Sequence, residues 1–141
     1  MSRAAIFLAT TASLLSAPTA MAAWRTETGQ GLTDAQVASG SAVLGVVCNN
    51  GDLDIRSGVY VSPDGIGQNG GHVFVIDGDT TFEADLYLGT FEPGDGPDLE
   101  MLAEMVEMFR RGSRVAVTFP EGGEAEFSLS GSSRALAPCE L

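Results

Sequence analysis

Apolar residues alternate with polar ones through most of the chain, and the alternation predicts strands joined by tight turns. Ala42-Val-Leu-Gly-Val-Val-Cys48 is a continuous apolar run, suited to a strand buried along much of its length. Asn49-Asn50-Gly51 follows it with turn chemistry, since Asn and Gly tolerate positive φ. Beyond it Leu53, Ile55, Val59 and Val61 hold odd positions, with Asp54, Arg56 and Gly58 between them. That spacing points one face inward and one outward, so 48–61 reads as the turn and second arm of a β-hairpin. Residues 62–71 carry four glycines and a proline with little to bury, which predicts a surface loop. A second hairpin follows: His72 to Asp77, a turn at Gly78-Asp79, then Thr80 to Leu88 with Phe82, Ala84, Leu86 and Leu88 alternating. Residues 92–96 form another Gly/Pro/Asp loop.

The period then changes from two to 3.6. Leu99, Leu102, Ala103, Val106 and Phe109 fall on one face of a helix over Pro97 to Arg111. Gly96 or Asp95 can cap it, Pro97 fits its first turn, and Gly112 is placed to end it. Asp98 and Glu100 face the positive end of the helix dipole, Arg110 and Arg111 the negative end. Arg114 to Phe119 and Glu124 to Leu129 are two more strands around Pro120-Glu-Gly-Gly, and 130–138 has room for a helical turn. Trp24 begins a first strand and reads as its packing anchor. The expected fold is mainly β: an antiparallel sandwich or barrel with one packed α-helix.

Residues 1–22 stand apart. Arg3 opens them, Ala4 to Leu15 are apolar, and Ala20-Met21-Ala22 is a small-residue cleavage site, which together predict a secretory signal peptide. The remainder, 23–141, has the length of one domain. The apolar run is too short for a membrane span, and no other stretch reaches spanning length. With 19 acids against 7 basic residues the formal charge is −12. Loss of 1–22 removes one arginine and no acid, so the mature chain is slightly more negative still. Such acidity argues against nucleic acid as a partner, because phosphates are repelled. All the basic residues are arginine, which removes Schiff-base lysines, phosphate-loop lysines and Ser-x-x-Lys nucleophiles from consideration.

Two cysteines remain, Cys48 and Cys139. In an exported chain an even count predicts a disulfide, and two allow one intramolecular pairing. A loop of roughly 90 residues gives about 4–5 kcal/mol in the chain-entropy model. The rival readings, a redox pair or metal thiolates, lack a Cys-x-x-Cys and further His or Cys ligands.

Candidate chemistry is sparse. His72 is the lone histidine, and at the start of a strand it is expected on the surface; no Gly-x-Ser-x-Gly supplies a nucleophile for it. Asp52 and Asp54 share a strand face, but paired acid/base work needs carboxyls facing across a cleft. Asp77 and Asp79, and Asp95 and Asp98, are loop acids of the kind calcium uses, without the twelve-residue loop pattern. Met101, Met105 and Met108 make a helical stripe, which reads as core filling ahead of a Cu(I) site or a partner groove. Glu100, Glu104 and Glu107 form a solvated acidic face that would also suit a basic partner. No cofactor motif occurs, so no cofactor and no enzymatic activity are expected.

Several features recur in order: the leader, Trp24, Leu44-Gly-Val-Val-Cys48 with Gly51-x-Leu53-x-Ile55, Val73-Phe-Val-Ile-Asp77, and Phe127-x-Leu-x-Gly131-x-x-x-Ala135-Leu-x-x-Cys139. In this the chain resembles the small periplasmic proteins associated with type VI secretion and, more loosely, invasion-associated locus B proteins. The resemblance implies a non-enzymatic envelope protein, an accessory to a secretion machine. The expected function is thus an exported binding domain, periplasmic or secreted, whose partner is another envelope or secreted protein. The alternative is an acidic inhibitor of a basic hydrolase such as lysozyme, with Ser130-Gly131-Ser132 and Gly94-Asp95-Gly96 as available loops.

Overall fold

The structure, a computed structural model, describes residues 23–51, 56–93 and 96–141. Residues 1–22, where a signal peptide is expected, Asp52 and Asp54 with their neighbours Leu53 and Ile55, and Gly94 and Asp95 of the loop before the helix lie outside these residues.

The first sheet begins with β1 (Arg25–Gly29) and β2 (Leu32–Ser39), antiparallel around Gln30-Gly31. Both turn residues have positive φ, as a two-residue hairpin turn matching the strand twist requires. Next comes β3 (Ala42–Asn49), then β4 (Gly58–Ser62) and the short β7 (Thr90–Phe91), in the order β1-β2-β3-β4-β7. β3 pairs on both sides, and even its outward Val43 and Val47 are half-buried, in keeping with its near-continuous apolar run. Its second partner starts later than expected. Val47 pairs with Gly58, so the hairpin arm runs from Gly58, while Asn49 to Gly51 pack back on the β1–β2 turn through Asn50 N–H donating to Gly31 O at 2.7 Å.

The second sheet has the order β6-β5-β8-β9. It comprises β5 (Gly70–Ile76), β6 (Thr80–Leu86), β8 (Arg114–Thr118) and β9 (Glu124–Ser128), all antiparallel. β6 ends at Leu86, two residues before the predicted limit, because Leu88-Gly89 turn the chain into β7. The inward faces of the sheets share one core built on Leu44, Val46, Val59, Phe74, Val117 and Phe127. The sheets approach each other at two places, β6 beside β7 and β2 beside β9. The fold is therefore an antiparallel sandwich with a packed helix, as the patterning implied.

That helix, α1 (Gly96–Arg111), buries Leu102, Met105, Val106 and Phe109, with Phe109 against Phe74 at 6.4 Å between ring centroids. Its inward face is rotated from the expected one. Met105 is fully buried, whereas Leu99 in the first turn stays partly exposed. Gly112, just past the helix, is a glycine for a packing reason: a Cβ there would lie 2.8 Å from both Ile76 Cγ2 and Leu129 Cδ1. A short α2 (Ser132–Ala135) completes the chain.

Candidate functional site

His72 is a correction to the sequence expectation of a surface histidine. β5 alternates so that His72, Phe74 and Ile76 all face the core, and the imidazole is fully buried. Its Nδ1 lies 2.9 Å from Gly70 O; a carbonyl only accepts, so Nδ1 carries the proton. Phe119 meets the ring edge-on at 5.7 Å. Nε2 is buried with no hydrogen-bond partner among the described residues. No hydroxyl, thiol or carboxylate joins the ring among these contacts, so the geometry assembles no nucleophile–base pair around it.

The loop acids do structural jobs. Asp77 Oδ1 accepts from Ser113 N–H at 2.9 Å and Arg114 N–H at 3.1 Å, tying the β5–β6 turn to the start of β8. Asp79 Oδ1 accepts from the Thr80 hydroxyl at 3.1 Å. Asp98 sits in the first turn of α1. Among the described residues no group of three or more His, Cys, Asp or Glu is placed to hold a metal ion. In the methionine stripe Met105 is core, and Met101 and Met108 pack against it.

The C-terminal tail is clamped from several sides. Cys48 and Cys139 form a disulfide, with Cα atoms 5.3 Å apart across 91 positions of sequence. Arg110 Nη2 donates to Leu136 O at 2.8 Å and to Cys139 O, and Asn50 Nδ2 donates to Pro138 O. The Arg110 role was not foreseen, since helix-dipole logic placed that residue against the carbonyls of its own helix. Trp24 Nε1 donates to Ser128 O at 3.1 Å, joining the margin of the first sheet to β9. Ser132 is buried, its hydroxyl donating to Phe109 O, so it is not displayed as part of an inhibitory loop.

On the outer face of the first sheet the Tyr60 ring lies over Gly45, and its hydroxyl donates to Asp34 Oδ1 at 2.7 Å. Burial, then the bond to Asp34 and its negative charge, hold the phenol proton well above the usual tyrosine range. Beyond β7 an open cleft of about 540 Å³ is lined by Tyr87, Leu88, Phe91 and Pro93 together with Asp85, Glu92 and Asp98. A smaller one of about 280 Å³ lies across Leu88, against Tyr60 and Val43.

A family model named YfjT matches residues 22–136, which takes in all the strands and helices of the described residues. The chain belongs to the YfjT family. It is a small bacterial family of unknown function. The YfjT match begins where the leader-like segment ends and stops short of Cys139. No curated protein and no solved structure is significantly similar to this YfjT chain. Among the described residues no helix is long and apolar enough to cross a membrane.

Proposed function

We propose that the chain is an exported, non-enzymatic binding domain of the bacterial cell envelope, periplasmic or secreted, that engages another envelope or secreted protein. The observation that carries this reading is the Cys48–Cys139 bridge. Such bonds persist in oxidising compartments, and here one ties the tail to the central strand of a small domain. The leader-like 1–22 agrees with it. The strong acidity favours a basic partner by long-range steering. Accessory duty in a secretion machine is the finer proposal and rests on the sequence resemblance alone.

The export step is tested by fusing 1–22 to an alkaline phosphatase that lacks its own leader and is active only outside the cytoplasm. Active phosphatase is the expected result; an inactive, full-length cytoplasmic fusion overturns the reading.

A second reading, inhibition of a basic hydrolase such as lysozyme, is favoured by the net charge of −12. It predicts inhibition of lysozyme that weakens steeply between low and physiological salt, since exposed charges are screened within about 8 Å at 0.15 M. No inhibition at low salt removes it.

A further inference from the structure

Gln30-Gly31, Asp77-Gly78 and Leu88-Gly89 turn three hairpins, each with both residues at positive φ. The left-handed region is costly for bulky apolar residues and is normally filled by Asn, Asp or Gly. Polar side chains occupy it in two of the turns. The third has a leucine, which is 59% exposed and so gains little burial in return. Tyr87 beside it is 75% exposed, and Ile66 on the neighbouring loop 73%.

The backbone beneath these side chains is firmly held. Tyr87 and Thr90 exchange both main-chain hydrogen bonds at 3.0 Å, Gly89 N–H donates to Gln68 O at 2.8 Å, and Leu88 N–H donates to Asn69 Oδ1 at 2.6 Å. A Cβ on Gly67 would fall 1.9 Å from Leu88 O, so the loop bearing Ile66 is pressed against the turn. The tip is thus a rigid mount for apolar side chains that contribute nothing to the core. Exposed apolar side chains on a firmly held backbone, Leu88 at a φ that disfavours it, suit a contact surface.

We propose that the Leu88 tip and the cleft beside it dock a cationic protein segment. An apolar side chain of the partner would lie against Tyr87 and Leu88, with Arg or Lys reaching Asp85, Glu92 and Asp98. This rests on the reading of the chain as a binding domain and deepens it. Charge selects the occupant: those three carboxylates line the cleft and no basic side chain does so among the described residues. Anionic lipid and nucleic acid would be repelled. A second copy of this chain, at −12, would bring like charges together.

The test uses the isotope-labelled 23–141 chain, oxidised, and a blocked heptapeptide of alternating Lys and Leu, followed by amide chemical shifts. Shifts are expected at 85–92. Affinity should fall about tenfold or more in Leu88→Asn and in the double variant Asp85→Asn/Glu92→Gln. It should fall likewise when serine replaces leucine in the peptide, and vanish when glutamate replaces lysine. Leu88→Asn suits the turn, so it stays folded, and Glu124→Gln/Glu126→Gln on β9 should leave affinity unchanged. Shifts centred elsewhere, full affinity in Leu88→Asn, equal binding of the glutamate peptide, or concentration-dependent dimerisation through the tip would each overturn the proposal. Export is read separately by the phosphatase fusion, so the tip can fail while the binding-domain reading stands.

Discussion

Tyr60 occupies the space that a side chain on Gly45 would need. A Cβ there would lie 2.0 Å from Tyr60 Cζ, and the glycine is buried because the ring covers it. Gly45 and Tyr60 are cross-strand partners between β3 and β4, so the missing side chain on one strand seats the aromatic of the next. Gly45→Ala should swing the ring away and break its bond to Asp34, costing about 1–2 kcal/mol in urea unfolding.

The same contact gives a pH dependence. The folded state holds the Tyr60 proton above the ordinary tyrosine value of about 10, while the unfolded chain releases it there. The unfolded state then binds fewer protons, so stability is intact below about pH 10 and declines as pH rises beyond it. Tyr60→Phe should flatten that alkaline decline, measured as urea midpoint against pH. An unchanged decline would place its source elsewhere.

His72 buries a ring nitrogen that has no hydrogen-bond partner among the described residues, which costs the fold stability. His72→Leu fills the same space with apolar atoms and gives up the bond to Gly70 O. The two effects oppose, so the unfolding free energy should change by less than about 1 kcal/mol. A loss of 3 kcal/mol or more would mean that Nε2 has a partner in solution.

Gly112 stands where α1 meets β5 and β9. A methyl there would press on Ile76 and Leu129 side chains and lie 3.0 Å from Met108 O, a main-chain atom that cannot swing aside. Gly112→Ala should therefore destabilise by about 1–3 kcal/mol, even though alanine has the better helix propensity. A rise in melting temperature would contradict the packing account.

Much of the architecture was legible because large side chains alternate cleanly. Phe74 and Ile76 in β5, Val115 and Val117 in β8, and Phe127 in β9 each declare an inward face. β2 was not legible: its inward residues are Thr33, Ala35 and Val37, too small and mixed to stand out, and the neighbours of the strand supply the burial. The burial of His72 was recoverable, since it shares parity with Phe74; the expectation weighed residue type above register. The disulfide followed from counting cysteines. The Leu88 tip was missed because Leu88 continues the alternation of Phe82, Ala84 and Leu86, and that pattern hid an X-Gly turn whose first residue happens to be apolar. Surface function of this kind depends on what the fold leaves uncovered, which periodicity does not report.

The proposed export requires that the chain be carried into an oxidising compartment and closed there by Cys48–Cys139. Removing that closure with Cys48→Ser/Cys139→Ser should cost about 2–5 kcal/mol. The most direct measurement is the intact mass of the protein recovered from the bacterial periplasm after denaturing treatment with a maleimide. The predicted result is the mass of the leader-free chain, two hydrogens below the dithiol, with no maleimide attached. A chain retaining 1–22, or one carrying two maleimides, would contradict it.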